Sequence, residues 1–119
     1  MLKLIFGCLI VAGMLVACGG TPEYAALKPA QQKAVQAELG YLSKMVEVTR
    51  WSVKADKVEI FLFSTPAGFE KWMRDMAGRA STAAGAPVVI EVSRLKNNEY
   101  QFWCFATGRN GSVYENTCS

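Results

Sequence analysis

The chain contains no histidine. That one absence removes Ser-His-Asp and Cys-His nucleophilic catalysis, and with them any zinc site built on imidazole. Aspartate is scarce as well: Asp56 and Asp75 are the only two, and both fall among solvent-facing neighbours. No glycine-rich loop follows a strand pattern. Gly108-Arg109-Asn110-Gly111 reads as a hairpin turn, not a phosphate cradle. The basic residues are scattered without a run or stripe, so the charge pattern gives no support to nucleic-acid binding. No repeat and no low-complexity tract is visible, and no residue set suggests a cofactor. At 119 residues and 51% hydrophobic content, the default is one globular domain rather than a disordered chain.

What is present is concentrated first at the N-terminus. Residues 4 to 17, LIFGCLIVAGMLVA, carry no charge, and Lys3 is the only charge before them. A short basic start, an apolar run and then small residues is the layout of a secretory signal. The run falls short of the roughly 20 apolar residues that a bilayer span needs. An ordinary cleavage site has small residues at both of its key positions, but here Leu15 fills the first of them.

Leu15-Val16-Ala17-Cys18 instead resembles the lipobox of bacterial lipoproteins. The resemblance implies that residues 1–17 are a signal peptide and that Cys18 becomes the mature N-terminus. Its thiol would carry diacylglycerol and its amine usually a third chain. A thiol is required because it supplies the nucleophilic sulfur for a thioether, and two or more acyl chains make anchoring stable. Gly19 stands where an Asp would favour inner-membrane retention in enterobacterial lipoproteins. The expected location is therefore the cell envelope, at the outer membrane and facing the periplasm. Residues 18–28 form the lipidated N-terminus and a short tether, and residues 29–119 form the domain.

Cys8 would leave with the signal, so the remaining cysteines, Cys104 and Cys118, make an even pair for an oxidising compartment, which points to a disulfide. A redox pair would be spaced more closely. Strand parity tests the bridge. A two-residue Asn110-Gly111 turn pairs residues whose numbers sum to 221, which sets Cys104 against Thr117. Direct opposition needs 222. A disulfide here therefore predicts a three- or five-residue connection, a bulge or a frayed end. Without residues 1–17 the chain has twelve Lys and Arg against ten Asp and Glu, an unremarkable net charge of +2.

Residues 29 to 39 read as a helix, with Pro29 in its first turn and Val35, Leu39 and Leu42 on one stripe that could run on to Lys44. Residues 45 to 63 read as a hairpin turning at Lys54 to Lys57. A second helix is expected from Pro66, capped by Thr65, with Phe69, Trp72, Met73, Met76 and Ala80 on its apolar stripe. Ser81 to Ala86 reads as a loop. Strands follow at 88–93, 99–107 and 112–117, with a turn at Asn97-Asn98. The expected fold is a small α+β domain of order α-β-β-α-β-β-β, with an antiparallel sheet of about five strands and two helices.

Two groups of residues could carry function. Carboxylate pairs can be drawn among Glu47, Glu59 and Glu91 on neighbouring strands, although Glu at an outward strand position is ordinarily solvated. Strict alternation also puts Phe61 and Phe63 on one face of their strand, and Trp103 and Phe105 opposite Tyr100, Phe102 and Cys104 on theirs. If the helices cover both faces of the sheet, all of these are core. If both helices cover one face, Phe61, Phe63, Trp103 and Phe105 form an exposed patch that would mark a partner site, with Trp51 a further candidate.

The reading that results is a non-enzymatic accessory protein of the bacterial envelope, held to the membrane through Cys18 and binding another envelope protein. The role would be assembly, stabilisation, inhibition or exclusion. A carrier or sensor of a small apolar ligand is the alternative, and it needs an apolar cavity between helices and sheet.

Overall fold

The computed structural model describes residues 24–118. The signal segment, Cys18 and the first residues of the tether lie outside the described residues. The chain forms a two-layer α+β domain. Its elements are α1 (Pro29–Glu38), a 3-10 turn (Gly40–Lys44), β1 (Val48–Val53), β2 (Val58–Leu62), α2 (Phe69–Ala84), β3 (Val88–Lys96), β4 (Glu99–Arg109) and β5 (Ser112–Asn116). The strands lie in the sheet in sequence order.

The first helix begins with Pro29 at its N-terminus, where a missing N–H costs nothing. The backbone N–H of Lys28 donates to Gln31 Oε1 at 2.8 Å, which satisfies a donor just outside the helix. The Val35, Leu39 and Leu42 stripe is fully buried and continues through the 3-10 turn. α2 differs from expectation at both ends. It starts after Gly68, which takes a left-handed φ of 64°, and so leaves Thr65 and Pro66 in the approach. It also absorbs Ser81 to Ala84, because alanine is the best helix former and nothing there breaks the pattern. Gly85, at φ 65°, ends it, its N–H bonding back to the Ser81 carbonyl.

The sheet is mixed, not wholly antiparallel. β1–β2, β3–β4 and β4–β5 are antiparallel, but β2 and β3 run parallel. The cause is α2. Its 16 residues span roughly 24 Å, enough to carry the chain back to the starting end of β2. β3 then sets out in the same direction, as a helical crossover requires.

Both helices cover one face of the sheet. Val58, Ile60 and Leu62 of β2, Val88, Ile90 and Val92 of β3, and Cys104 and Ala106 of β4 share one core with Val35, Leu39, Met73, Met76 and Ala80. Met76 sits at its centre with no exposed surface. Met76→Ala should cost about 2–5 kcal/mol, read as a lower urea midpoint. Lys71→Ala, on the exposed side of the same helix, should leave that midpoint nearly unchanged.

Three bulges punctuate the ladders. Thr49 is the extra residue on β1, Trp103 on β4 and Tyr114 on β5. Each offsets the register by one and so changes which residues share a face. Both short turns use left-handed residues, Asn97-Asn98 at φ 54° and 66° and Asn110-Gly111 at 56° and 81°, the conformation that a two-residue hairpin needs.

Candidate interaction surface

The bulge at Trp103 decides the composition of the aromatic face. Below it, Val92 pairs with Cys104; above it, Ser93 pairs with Phe102. Trp103 is thereby turned to the helix side, where its ring stacks on Phe69 with centroids 4.6 Å apart and planes 6° from parallel. Arg94 covers the other side of the indole at 4.2 Å. Of the four residues grouped by simple alternation, Trp103 therefore leaves the patch. Phe105, opposite Glu91, lies on the face away from the helices but is buried. Phe61 is half-buried on that face, and Phe63 is 67% exposed. Trp51 pairs with Ile60 on the helix side, donating its indole N–H to Ser43 Oγ at 2.9 Å.

In Trp103's place the bulge brings Phe102 and Tyr100, which alternation had set on the Cys104 face. The register runs Arg50, Phe61, Ser93, Phe102 across four neighbouring strands. Leu95 and Tyr100 pair in the next row outward on the same face. Phe102 is 53% exposed. The guanidinium of Arg50 lies 4.1 Å from the Phe61 ring centre and 5.8 Å from that of Tyr100. Tyr100 meets Phe61 edge-on at 5.4 Å and 87°, the geometry that ring quadrupoles favour. The Tyr100 hydroxyl donates to Thr49 Oγ1 at 2.6 Å and ties β4 across to the bulge of β1. Val46, just before β1, is 87% exposed at the same end of the sheet.

The candidate carboxylates are divided. Glu59 and Glu91 are direct neighbours on β2 and β3, whereas Glu47 stands apart in the turn just before β1. Lys57 Nζ bridges the adjacent pair, 3.2 Å from Glu91 and 3.8 Å from Glu59, and Lys54 reaches Glu59 at 3.1 Å. Burial pulls the Lys57 ammonium down. The hydrogen bond and charge of Glu91, with the charges of Asp56 and Glu59, outweigh it and raise the Lys57 pKa above the ordinary lysine value. The two carboxylates thus form a compact ion-pair cluster. Among the described residues, no group of three or more His, Cys, Asp or Glu is placed to hold a metal ion.

A groove of about 590 Å³ lies between α2 and the β4–β5 turn. Its walls include Glu38, Lys71, Arg74, Asp75, Arg79 and Thr82, so it is charged and offers no apolar chamber. Arg79 is held there by Glu38 at 2.8 Å, and that hydrogen bond raises its pKa against the lowering effect of burial. The groove does not have the chemistry that an apolar ligand needs.

The chain enters at the other end of the sheet from the aromatic rows. Tyr24 lies where Arg109, Tyr114 and Glu115 act on its phenol, and burial raises its pKa. Leu27 then donates its backbone N–H to Ala55 in the β1–β2 turn at 2.7 Å. Among the described residues no helix is long and apolar enough to cross a membrane.

Comparison of the chain with protein-family models, with curated proteins and with solved structures found no match.

Proposed function

We propose that this chain is a lipid-anchored accessory protein of the bacterial cell envelope, fixed to the membrane through Cys18 and acting by binding another envelope protein. The observation that carries the reading is Leu15-Val16-Ala17-Cys18 directly after an uncharged run over residues 4–17. Acyl chains on that cysteine would anchor the domain stably without a spanning helix. A disulfide-distance pair in a domain of this size suits an oxidising compartment. The face of the sheet opposite the helices supports a binding role, because exposed phenylalanine and stacked arginine are the side chains that protein interfaces favour. The outer membrane, periplasmic side, is the location that Gly19 after the cysteine favours.

The test is the intact mass of protein purified from membranes of a lipoprotein-processing bacterium. The expected species has lost residues 1–17 and gained acyl chains, whereas Cys18→Ser stays unprocessed and unacylated. A wild-type chain that keeps its first 17 residues and carries no lipid would end the envelope reading.

A further inference from the structure

Four of the five arginines of this domain fall into two groups, and the fifth, Arg109, lies over Tyr114 at the β4–β5 turn. On the helix side, Arg74 pairs with Glu70, and Arg79 pairs with Glu38 and Asp75. At the end of the sheet formed by the start of β1, the end of β3 and the start of β4, Arg50 and Arg94 lie over aromatic rings, and neither makes an ion pair with a described carboxylate. That end carries Lys44, Arg50, Arg94 and Lys96 against Glu47 and Glu99. Its excess of two cations equals the net charge of residues 18–119, so the rest of that chain balances. Exposed Phe102 shares the face of Arg50, with Val46 and Phe63 at the same end, whereas Arg94 and Lys96 project to the helix side beside Trp103.

The tether bounds where the domain can sit. Five residues, 19 to 23, lie between Cys18 and Tyr24, and the six steps between them fully extended reach about 20 Å. Thr107, at the entry end of β4, and Tyr100, in the aromatic rows, are seven residues apart along one strand, a further 24 Å or so. A domain held at its entry end can therefore present the aromatic end away from the bilayer.

Resting on the proposed envelope function, we propose that this end, centred on Arg50, Phe63 and Phe102, docks a protein partner that presents a carboxylate flanked by apolar side chains. The carboxylate would pair with the guanidinium of Arg50, already seated against the rings of Phe61 and Tyr100 so that less ordering remains to be done on binding. The apolar flanks would cover Phe63 and Phe102. An aromatic and arginine centre of this kind is the composition of an interface hot spot.

The experiment places the photo-crosslinking residue p-benzoylphenylalanine at Phe63 or Phe102, and at exposed Lys33 on α1 as a control, in the full chain expressed in its own bacterium. Acylation is confirmed by mass on the same sample. The expected result is one protein adduct, formed from 63 and 102 and absent from 33. Its crosslinked peptide should carry Asp or Glu beside the attachment point. Arg50→Glu should lower its yield at least about tenfold, whereas Ser52→Glu, exposed on the same strand, should not. Thermal melts confirm that each variant is folded, and Arg50→Lys, which keeps the charge but loses the planar fork, should give an intermediate yield. No adduct from an acylated chain would overturn the proposal while leaving the envelope reading in place. So would an equal adduct from Lys33, or an adduct insensitive to Arg50→Glu. Binding of the unlipidated domain to phosphatidylethanolamine and phosphatidylglycerol vesicles through Phe63 and Phe102 would also overturn it, since the surface would then be a lipid contact. An unacylated wild-type chain would remove the reading on which the proposal rests, and the proposal with it.

Discussion

Gly108→Ala should destabilise the domain by about 3 kcal/mol or more, the upper end of what overpacking costs. Gly108 lies on β4 directly beneath α2, and a Cβ there would fall far inside contact distance of the Ala77 carbonyl oxygen and carbon. The obstruction is helix backbone, so no rotamer change relieves it, and trimming the neighbour with Ala77→Gly should not restore stability. The seat is double. One residue on, a Cβ at Gly78 would come within 2.7 Å of the carbonyl oxygen of Gly111 in the β4–β5 turn. Ser81 locks the arrangement, its Oγ donating to the Gly78 carbonyl and accepting the Gly111 N–H, each at 2.9 Å. Two glycines on the sheet side and one on the helix thus let α2 approach β4 and the turn closely. In urea, with a slope near 1–1.5 kcal/mol/M for a domain of this size, the loss should lower the midpoint by about 2 M or abolish folding. An unchanged midpoint would mean that the helix does not sit on Gly108.

The elements that could be read from the sequence were those whose signal is local. The 3.6-residue spacing of Phe69, Trp72, Met73 and Met76 marks α2, and Val35, Leu39 and Leu42 mark α1, because a helix must bury one stripe wherever it sits. The two short turns announce themselves through Asn-Asn and Asn-Gly. What could not be read is relational. Nothing in β2 or β3 alone says that they run parallel; that follows from the return path of α2. Nothing local to Trp103 says that it is a bulge. The ladder skips it, and the single skip exchanges Trp103 for Phe102 and Tyr100 on the exposed face. The candidate surface was thus visible as an excess of aromatics on two strands, but its membership depended on one extra residue. Arg50 was missed altogether, because its place over Phe61 depends on cross-strand register. A signal for it did exist: an arginine in a β-rich segment whose pairing partner, once the hairpin closes at Lys54 to Lys57, is a phenylalanine.

The bulge at Tyr114 links register to covalent chemistry, and one further residue in β5 should unmake the disulfide. Next to the Asn110-Gly111 turn, Arg109 pairs with Ser112 and Gly108 with Val113, numbers that sum to 221. Beyond Tyr114 the pairs are Thr107 with Glu115 and Ala106 with Asn116, which sum to 222. The Thr117 N–H continues that register by donating to the Phe105 carbonyl at 2.9 Å. Continued one step further, it sets Cys118 opposite Cys104, with their Cα atoms 5.2 Å apart and their sulfurs at disulfide distance. Both cysteines point into the helix-side core and are almost wholly buried. Deleting Tyr114 removes only the unpaired residue and leaves Cys118 opposite Cys104, so the bridge should survive it. Inserting an alanine after Tyr114 should instead move each later residue one step along β4, place Thr117 against Cys104 and turn Cys118 outward. The expected result is two titratable thiols in the folded or partly folded insertion variant, and none in the parent or the Tyr114 deletion before reduction. Cys104→Ala combined with Cys118→Ala keeps the bulge and removes only the crosslink. For a closed loop of this length that should cost about 3 kcal/mol, again a urea shift near 2 M. The double alanine and insertion variants separate crosslink from register: the double alanine chain should keep the Ala106–Asn116 pairing by amide exchange, and the insertion chain should lose it. An insertion variant that still forms the bridge would show that the register beyond Tyr114 does not place Cys118.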